Sequence, residues 1–341
     1  MAVFYPKRIR LEFDRDILTD PRIRAVLCQK AGTGAPWRGY FSKTVRQPSF
    51  TIDPMQQTLN PPARLEALNR ALDAPSPLRL WHLSSLDAPT VAAVWSLGIA
   101  KAAGVRLPAW VPVLLALVTW CVYISDRLLD ARSALRARHI NRLRQRHYFH
   151  WQYRRIFFPL AVAAACISAW IVISFMPGGA RERNALLALA GVAYFSSVHT
   201  HAKFRALLPK ELFVAVMFTA GCVLPTIGRM GAVSASFVVV IAFFTGLAWL
   251  NCHAIERWES VGETFFGLQI HPAASLLALA GLLGAIILFA AHSSEAVLLG
   301  AGVASAVLLA LLDGIRGRLT PLASRMAADL VLLTPLALLL R

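Results

Sequence analysis

Long apolar segments recur along the sequence after about residue 85, and they constrain the fold more than any other feature. We predict spans near 86–103, 108–127, 156–176, 184–201, 210–228, 233–253, 272–291, 295–312 and 320–340. Each has nearly the 20 residues that a helix needs to cross about 30 Å of hydrocarbon. A single soluble core could not bury a chain of 341 residues that is 57% hydrophobic. The sequence therefore predicts an all-α bundle of about nine transmembrane helices.

The positive charge follows the loops between these segments. The formal net charge is +17, and the lysines and arginines lie mainly in the N-terminal stretch and in short loops. The loop after the second span is the most basic, with Arg132, Arg136, Arg138, Arg142, Arg144, Arg146, Arg154 and Arg155. Such asymmetry is the positive-inside signal of a membrane protein, so we expect even-numbered spans to exit into the cytoplasm and the N-terminus to be cytoplasmic. It argues against nucleic acid as a partner.

The sequence divides into three parts. Residues 1–54 are polar, rich in arginine and without a sustained apolar period, which is typical of a disordered tail. An equally good interpretation is that Met55 is the true start. Residues 55–84 place Leu65, Leu68 and Leu72 at helical spacing, which predicts an amphipathic segment lying on the membrane surface. Residues 85–341 form the predicted transmembrane domain.

Acidic residues cluster at the cytoplasmic ends of the second and sixth spans. Asp126 and Asp130 are four residues apart, so on a helix they share a face and can hold one divalent cation, for which Mg²⁺ is suited. Asn251, Glu256 and Glu259 form the second cluster, and both clusters exit on the same side. Each cluster alone also fits an interfacial salt-bridge group. Two matching clusters favour function, because ionisable residues are costly in a membrane.

This layout resembles the UbiA superfamily of membrane prenyltransferases, which have nine helices and two Asp-rich motifs after the second and sixth. Asp126-Arg127 and Asp130 match the last two acidic positions of the first family motif, whereas Val122 and Tyr123 replace its Asn-Asp. The resemblance covers about residues 75–341.

The second motif is also matched in part. Asn251 matches its leading position and Glu259 its final acid, while Cys252 and Ile255 replace acids and Glu256 is adjacent. Lys210, which opens the fifth span, resembles a family lysine near the substrate phosphate.

The resemblance implies Mg²⁺-dependent transfer of an isoprenoid chain from a prenyl diphosphate to a lipid-soluble acceptor, aromatic or lipid, in the plasma membrane of a bacterium. The catalytic acids would be Asp126, Asp130, Glu256 and Glu259. Asp126, Asp130 and Glu259 would hold the metal. Arg127, Lys210, Asn251 and Arg257 would bind the substrate.

Two other functions stay open on the sequence. One is a catalytically inactive UbiA-like protein that binds lipid or a partner protein, since the first motif lacks its Asn-Asp. The other is a transporter that uses intramembrane charges. Outside the two motifs, Asp87 either approaches one of the acidic clusters or caps a helix before Pro89. Arg325 and Asp329 form a predicted structural pair inside the last span.

Overall fold

The computed structural model describes residues 76–136, 144–199, 209–259 and 267–340, and within these ranges the regular secondary structure is entirely helical. The predicted all-α membrane fold is thereby confirmed. The predictions for 1–54 and for most of 55–84 lie outside the described residues. The α-helices are α1 (Pro77–Leu83), α2 (Asp87–Ala102), α3 (Trp110–Arg136), α4 (Gln145–Gln152), α5 (Arg154–Phe175), α6 (Gly178–His199), α7 (Lys210–Ile227), α8 (Ala235–Glu259), α9 (Ile270–Ala290), α10 (Glu295–Ile315), α11 (Pro321–Leu330) and α12 (Leu336–Leu339).

Seven helical segments of the described chain are long and apolar enough to cross a membrane. They are α3, α5, α7, α8, α9, α10 and the final segment Pro321–Leu339, which joins α11 to α12. The pair α1–α2 adds an eighth if it counts as one span, although the two helices meet at 89°. The described residues thus hold seven or eight candidate spans rather than the nine predicted, although a helix lies at each predicted position.

Two helices account for the lower count. Helix α2 has 16 residues, and so rises about 24 Å, less than the hydrocarbon thickness. Helix α6 carries Arg181, Glu182 and Arg183 in its first two turns, which leaves too short an apolar stretch in its described part. The outward faces of the long helices are nonetheless apolar: Ile173 is 70% exposed and Phe289 75%. Such surfaces suit hydrocarbon rather than water.

The core of the bundle forms where α2, α8, α9 and α10 meet. The rings of Trp95 and Phe244 stack with centroids 4.0 Å apart. The indole of Trp95 donates to the carbonyl of Leu332 at 2.8 Å, which attaches α2 to the final span. Gly281 and Gly302 lie against the ring of Phe243, and a Cβ at either position would overlap that ring. Glycine therefore allows α9 and α10 to pack closely with α8.

A second layer brings together the ends of four helices. Ala88 of α2, Tyr123 of α3, Ala215 of α7, and Ala248 and Cys252 of α8 form one buried apolar cluster. Helices α2 and α7 begin near this layer, whereas α3 and α8 end beyond it. The polar residues at these four helix ends therefore lie at one end of the bundle, and they form the candidate site.

Candidate functional site

Three of the four predicted catalytic acids interact electrostatically with one lysine at this end of the bundle. Lys210, the first residue of α7, interacts electrostatically with Asp126, Asp130 and Glu256. We call these four residues the acidic group. The carboxylate of Asp126 is buried, and neither of its oxygens has a hydrogen-bond partner among the described residues. Within this group three carboxylates face one ammonium, while Arg127 and Arg146 also interact electrostatically with Asp126.

Arg127 lies next to the acidic group and is fully buried. Its guanidinium carbon is 5.7 Å from the ring centroid of Tyr123, one turn earlier on α3. The three guanidinium nitrogens have no hydrogen-bond partner in the described part of the chain. A buried guanidinium offers five N–H donors, so this side chain is placed to bind an anion.

The fourth predicted acid, Glu259, lies in a different environment. Arg146 donates to both of its oxygens, at 2.9 and 3.3 Å, and Arg325 Nη1 donates to Oε2 at 3.1 Å. Arg144 pairs with the same Oε2. We call Glu259 and these three arginines the arginine cluster. Both oxygens of Glu259 are committed to guanidinium groups, which does not suit the predicted role as a metal ligand.

The arginine cluster carries an excess of positive charge. Within the cluster three guanidinium groups face one carboxylate, and Asp126 offsets part of the charge of Arg146. Burial, and next the charges of Arg325 and Arg144, lower the pKa of Arg146 well below its usual range. Arginine keeps its proton in proteins, so a further anion would be attracted to this cluster.

The two remaining predicted binding residues on α8 lie apart from each other. Asn251 is buried, and neither atom of its carboxamide has a hydrogen-bond partner among the described residues. Arg257 Nη2 instead donates to Gln269 Oε1 at 3.1 Å, at an exposed position. Arg257 is therefore engaged outside the acidic group and the arginine cluster.

Three buried residues from three helices lie together in a group that the sequence did not predict, although it drew attention to Asp87 and Asp329. His82 Nδ1 of α1 is 2.6 Å from Asp87 Oδ2, at the start of α2, and 3.8 Å from Asp329 Oδ2 of α11. We call these three residues the histidine–aspartate cluster. Asp87 does not cap α2 as predicted, since Leu86 is the N-cap residue, but its Oδ1 accepts from the N–H of Ala88. The predicted structural pair also differs, because Arg325 joins Glu259 and Asp329 faces His82.

A second missed contact attaches α4 to the turn between α1 and α2. Ser85 adopts a left-handed backbone with φ of 62°, and its hydroxyl is 3.2 Å from His150 Nε2. His150 Nδ1 lies 2.9 Å from the carbonyl of Arg146, so Nδ1 carries the proton and Nε2 accepts from Ser85. Burial, and next the charge of Arg127, lower the pKa of His150 to about 3. The neighbouring His147 is also buried, and its pKa is lowered well below the usual range, mainly by burial.

Few sequence signals pointed to these missed residues. Asp329 stood out because it lies inside an apolar span, but nothing in the sequence connected it to His82. Arg144 and Arg146 were part of a basic loop that predicted membrane orientation, and a loop of this kind is normally solvated.

Together, the two charged groups form a site of opposite local charges. The acidic group can attract a cation, whereas the arginine cluster and Arg127 can attract an anion such as a phosphate.

No protein-family model matches the chain, and comparisons with curated proteins and with solved structures also give no match.

Proposed function

We propose that this protein is a membrane prenyltransferase, which binds a prenyl diphosphate and transfers its isoprenoid chain to a lipid-soluble acceptor. The observation that carries the proposal is the separation of charge at one end of an apolar bundle. The acidic group sets three carboxylates against Lys210, and the arginine cluster, which interacts with it electrostatically, sets three guanidinium groups against Glu259. A metal–diphosphate complex has the complementary arrangement of charges.

The energetics of burial support a ligand of this kind. A buried charge without a partner costs several kcal/mol, and Arg127 and Asp126 are both buried without hydrogen-bond partners in the described structure. A phosphate group would accept from Arg127 and neutralise the arginine cluster. An isoprenoid chain on that phosphate would be buried favourably among the apolar side chains of the bundle. An amphiphilic anion therefore fits better than a small soluble one.

The acidic group also fits the predicted Mg²⁺. Asp126 and Asp130 lie one helical turn apart, and the oxygens of Asp126 are not engaged in hydrogen bonds to described residues. Mg²⁺ is commonly held by one or two carboxylates together with substrate phosphates, so these two residues would hold it, with Glu256 nearby. When bound, the ion would neutralise charge on the phosphate oxygens. Glu259 is left out of this set because arginines engage both its oxygens.

The chain's own residues would assist departure of the leaving group. In the transfer, the bond between the allylic carbon and the diphosphate oxygen breaks, and its electron pair leaves with diphosphate. The acceptor then forms a bond to that carbon and loses a proton. Arg127 and Lys210 would stabilise the departing anion, and the apolar bundle would exclude water from the cation-like carbon. The basic loops favour a site that opens to the cytoplasm of a bacterial cell.

The test is release of diphosphate by the purified protein in detergent. Farnesyl and geranylgeranyl diphosphates would be supplied with and without Mg²⁺, to the wild type and to Asp126→Asn/Asp130→Asn. We expect Mg²⁺-dependent release that the double variant loses. The matched control is Glu182→Gln, an exposed acid of α6, which should release diphosphate at the wild-type rate. Absence of both release and Mg²⁺-dependent binding would overturn the proposal.

A second candidate is a catalytically inactive relative that binds a phosphate-bearing lipid. The observation in its favour is the capture of Glu259 by three arginines, which removes one predicted metal ligand. This candidate predicts binding of prenyl diphosphate without release. Equilibrium binding of the same two diphosphates, measured beside the release assay, separates the two functions.

A further inference from the structure

The histidine–aspartate cluster lies in the interior of the bundle and unites three helices. His82, Asp87 and Asp329 are all buried. Their ligand atoms, one nitrogen and two carboxylate oxygens, lie within 4.8 Å of one another. His82 Nδ1 is the central atom, 2.6 Å from Asp87 Oδ2 and 3.8 Å from Asp329 Oδ2. A cluster with this donor set is a candidate site for a metal ion.

Unpartnered atoms around the cluster point independently to a missing ligand. The side chain of Asp329 is 4% exposed, and its Oδ2 has no hydrogen-bond partner in the described structure. The hydroxyl of Tyr123 is also buried without a partner there, and it interacts electrostatically with both aspartates. Two carboxylates lie on one imidazole inside the membrane domain, and Arg127 and Arg325 interact electrostatically with them but donate no hydrogen bond to either in the part of the chain that the structure describes. A cation bound between the carboxylates would satisfy them directly.

We propose that His82, Asp87 and Asp329 bind one divalent transition-metal ion, with Zn²⁺ as the best-suited ion. The imidazole nitrogen selects against Mg²⁺ and Ca²⁺, which prefer all-oxygen ligand sets. A tetrahedral ion at about 2.1 Å from each donor keeps the donors roughly 3.4 Å apart. His82 and Asp87 would separate by less than an ångström to reach that distance, and Asp329 would approach slightly. Three protein ligands leave the fourth position to water or to the Tyr123 hydroxyl.

The role of this ion would be to join distant parts of the chain. His82 and Asp87 flank the 89° corner between α1 and α2, whereas Asp329 lies in the final span. Metal bonds between them would fix the corner against α11. This also supports the candidate site indirectly, because Arg325 lies one turn from Asp329 and belongs to the arginine cluster. The ion is separate from the Mg²⁺ of the proposed function and uses none of its residues.

The experiment is metal analysis of the purified full-length protein. After removal of metal with a chelator, the protein would be titrated with Zn²⁺ and, as a spectroscopic probe, with Co²⁺. We expect about one equivalent per chain, a rise in the thermal unfolding midpoint, and ligand-field absorption from bound Co²⁺. His82→Gln and Asp329→Asn should each weaken Zn²⁺ binding by at least roughly tenfold, because each removes one ligand. The matched control is Asp313→Asn, a half-buried acid of α10, which should bind Zn²⁺ normally.

Two results would overturn the proposal. One is a wild-type protein that neither binds Zn²⁺ or Co²⁺ stoichiometrically nor gains thermal stability from them; His82 and the aspartates would then form only a hydrogen-bonded cluster. The other is unchanged Zn²⁺ binding in both variants, which would move the ion elsewhere. If the variants fail to fold, the Co²⁺ spectrum and stoichiometry of the wild type decide alone. The diphosphate-release assay varies only Mg²⁺, so its failure is distinguishable from failure here.

Discussion

The arginine cluster and the acidic group lie at the same end of the bundle, but they treat buried charge in opposite ways. In the arginine cluster, Glu259 accepts from guanidinium groups of α11, of α4 and of the residue before α4. In the acidic group, the carboxylate of Asp126 is buried without a hydrogen-bond partner among the described residues, as is the guanidinium of Arg127 beside it. The oxygens of Glu259 are therefore satisfied by contacts within the protein. The oxygens of Asp126 and the guanidinium nitrogens of Arg127 can still form hydrogen bonds to a ligand.

This difference separates structural from functional charge. Ion pairs that engage every oxygen of a carboxylate hold helices together, and breaking them is costly. Buried charges without hydrogen bonds lower stability, and they persist where a ligand completes them. We therefore expect changes at Glu259, whose oxygens are both engaged, to act mainly on stability, and changes at Asp126 and Arg127 to act mainly on ligand binding.

The largest effect is expected from Glu259→Gln. Loss of this carboxylate leaves three arginines without their shared anion, which should lower the free energy of unfolding by about 3–5 kcal/mol. The measurement is denaturant unfolding in detergent, followed by tryptophan fluorescence. Glu182→Gln serves as the control and should unfold as the wild type does. Equal stability of Glu259→Gln and the wild type would show that the ion pairs of Glu259 do not stabilise the fold.

The opposite sign is expected for Asp126→Ala/Arg127→Met. This double variant removes one negative and one positive charge, so the net charge is unchanged, and apolar side chains replace two buried charged groups. Replacing buried ions by apolar groups is often stabilising by about 1–4 kcal/mol. We expect a higher free energy of unfolding together with loss of prenyl diphosphate binding. A large loss of stability would instead mean that Asp126 and Arg127 stabilise the fold, as Glu259 does.

The positions of the membrane helices could be predicted because apolar runs are local in the sequence. Helices α3, α5 and α7 to α10 lie near the predicted spans. The number of candidate spans among the described residues differs from the prediction partly because of α2. This helix has only 16 residues, too few to span the membrane alone, and meets α1 at a sharp corner. The α2 segment is held by tertiary contacts such as the Trp95–Leu332 hydrogen bond, and sequence periodicity does not report those contacts.

The candidate site could be predicted only where its residues are close in sequence. The spacing of Asp126 and Asp130 follows from helical geometry, and Lys210 was found through the family resemblance. The partners of Glu259 could not be predicted, because the loop after the second span contains many arginines and nothing in the sequence selects Arg144 and Arg146. The same holds for His82 and Asp329, which only the folded bundle brings together.

The smallest effect concerns α4, which carries Arg146 to the arginine cluster. Since the pKa of His150 is lowered to about 3 in the folded protein, the unfolded chain binds a proton near pH 6.5 that the folded protein does not. The neutral form of His150 is therefore fully compatible with folding above pH 6.5. As the pH falls from 6 to 5, protonation of the unfolded chain lowers the free energy of unfolding by about 1 kcal/mol. Unfolding of wild type and His150→Gln at both pH values measures the difference. The variant should lose this part of the pH dependence, and exposed His292→Gln should retain it. An identical pH dependence in His150→Gln would mean that α4 is not held by a neutral, buried imidazole. The contacts of α4 would then not explain how Arg146 is positioned beside Glu259.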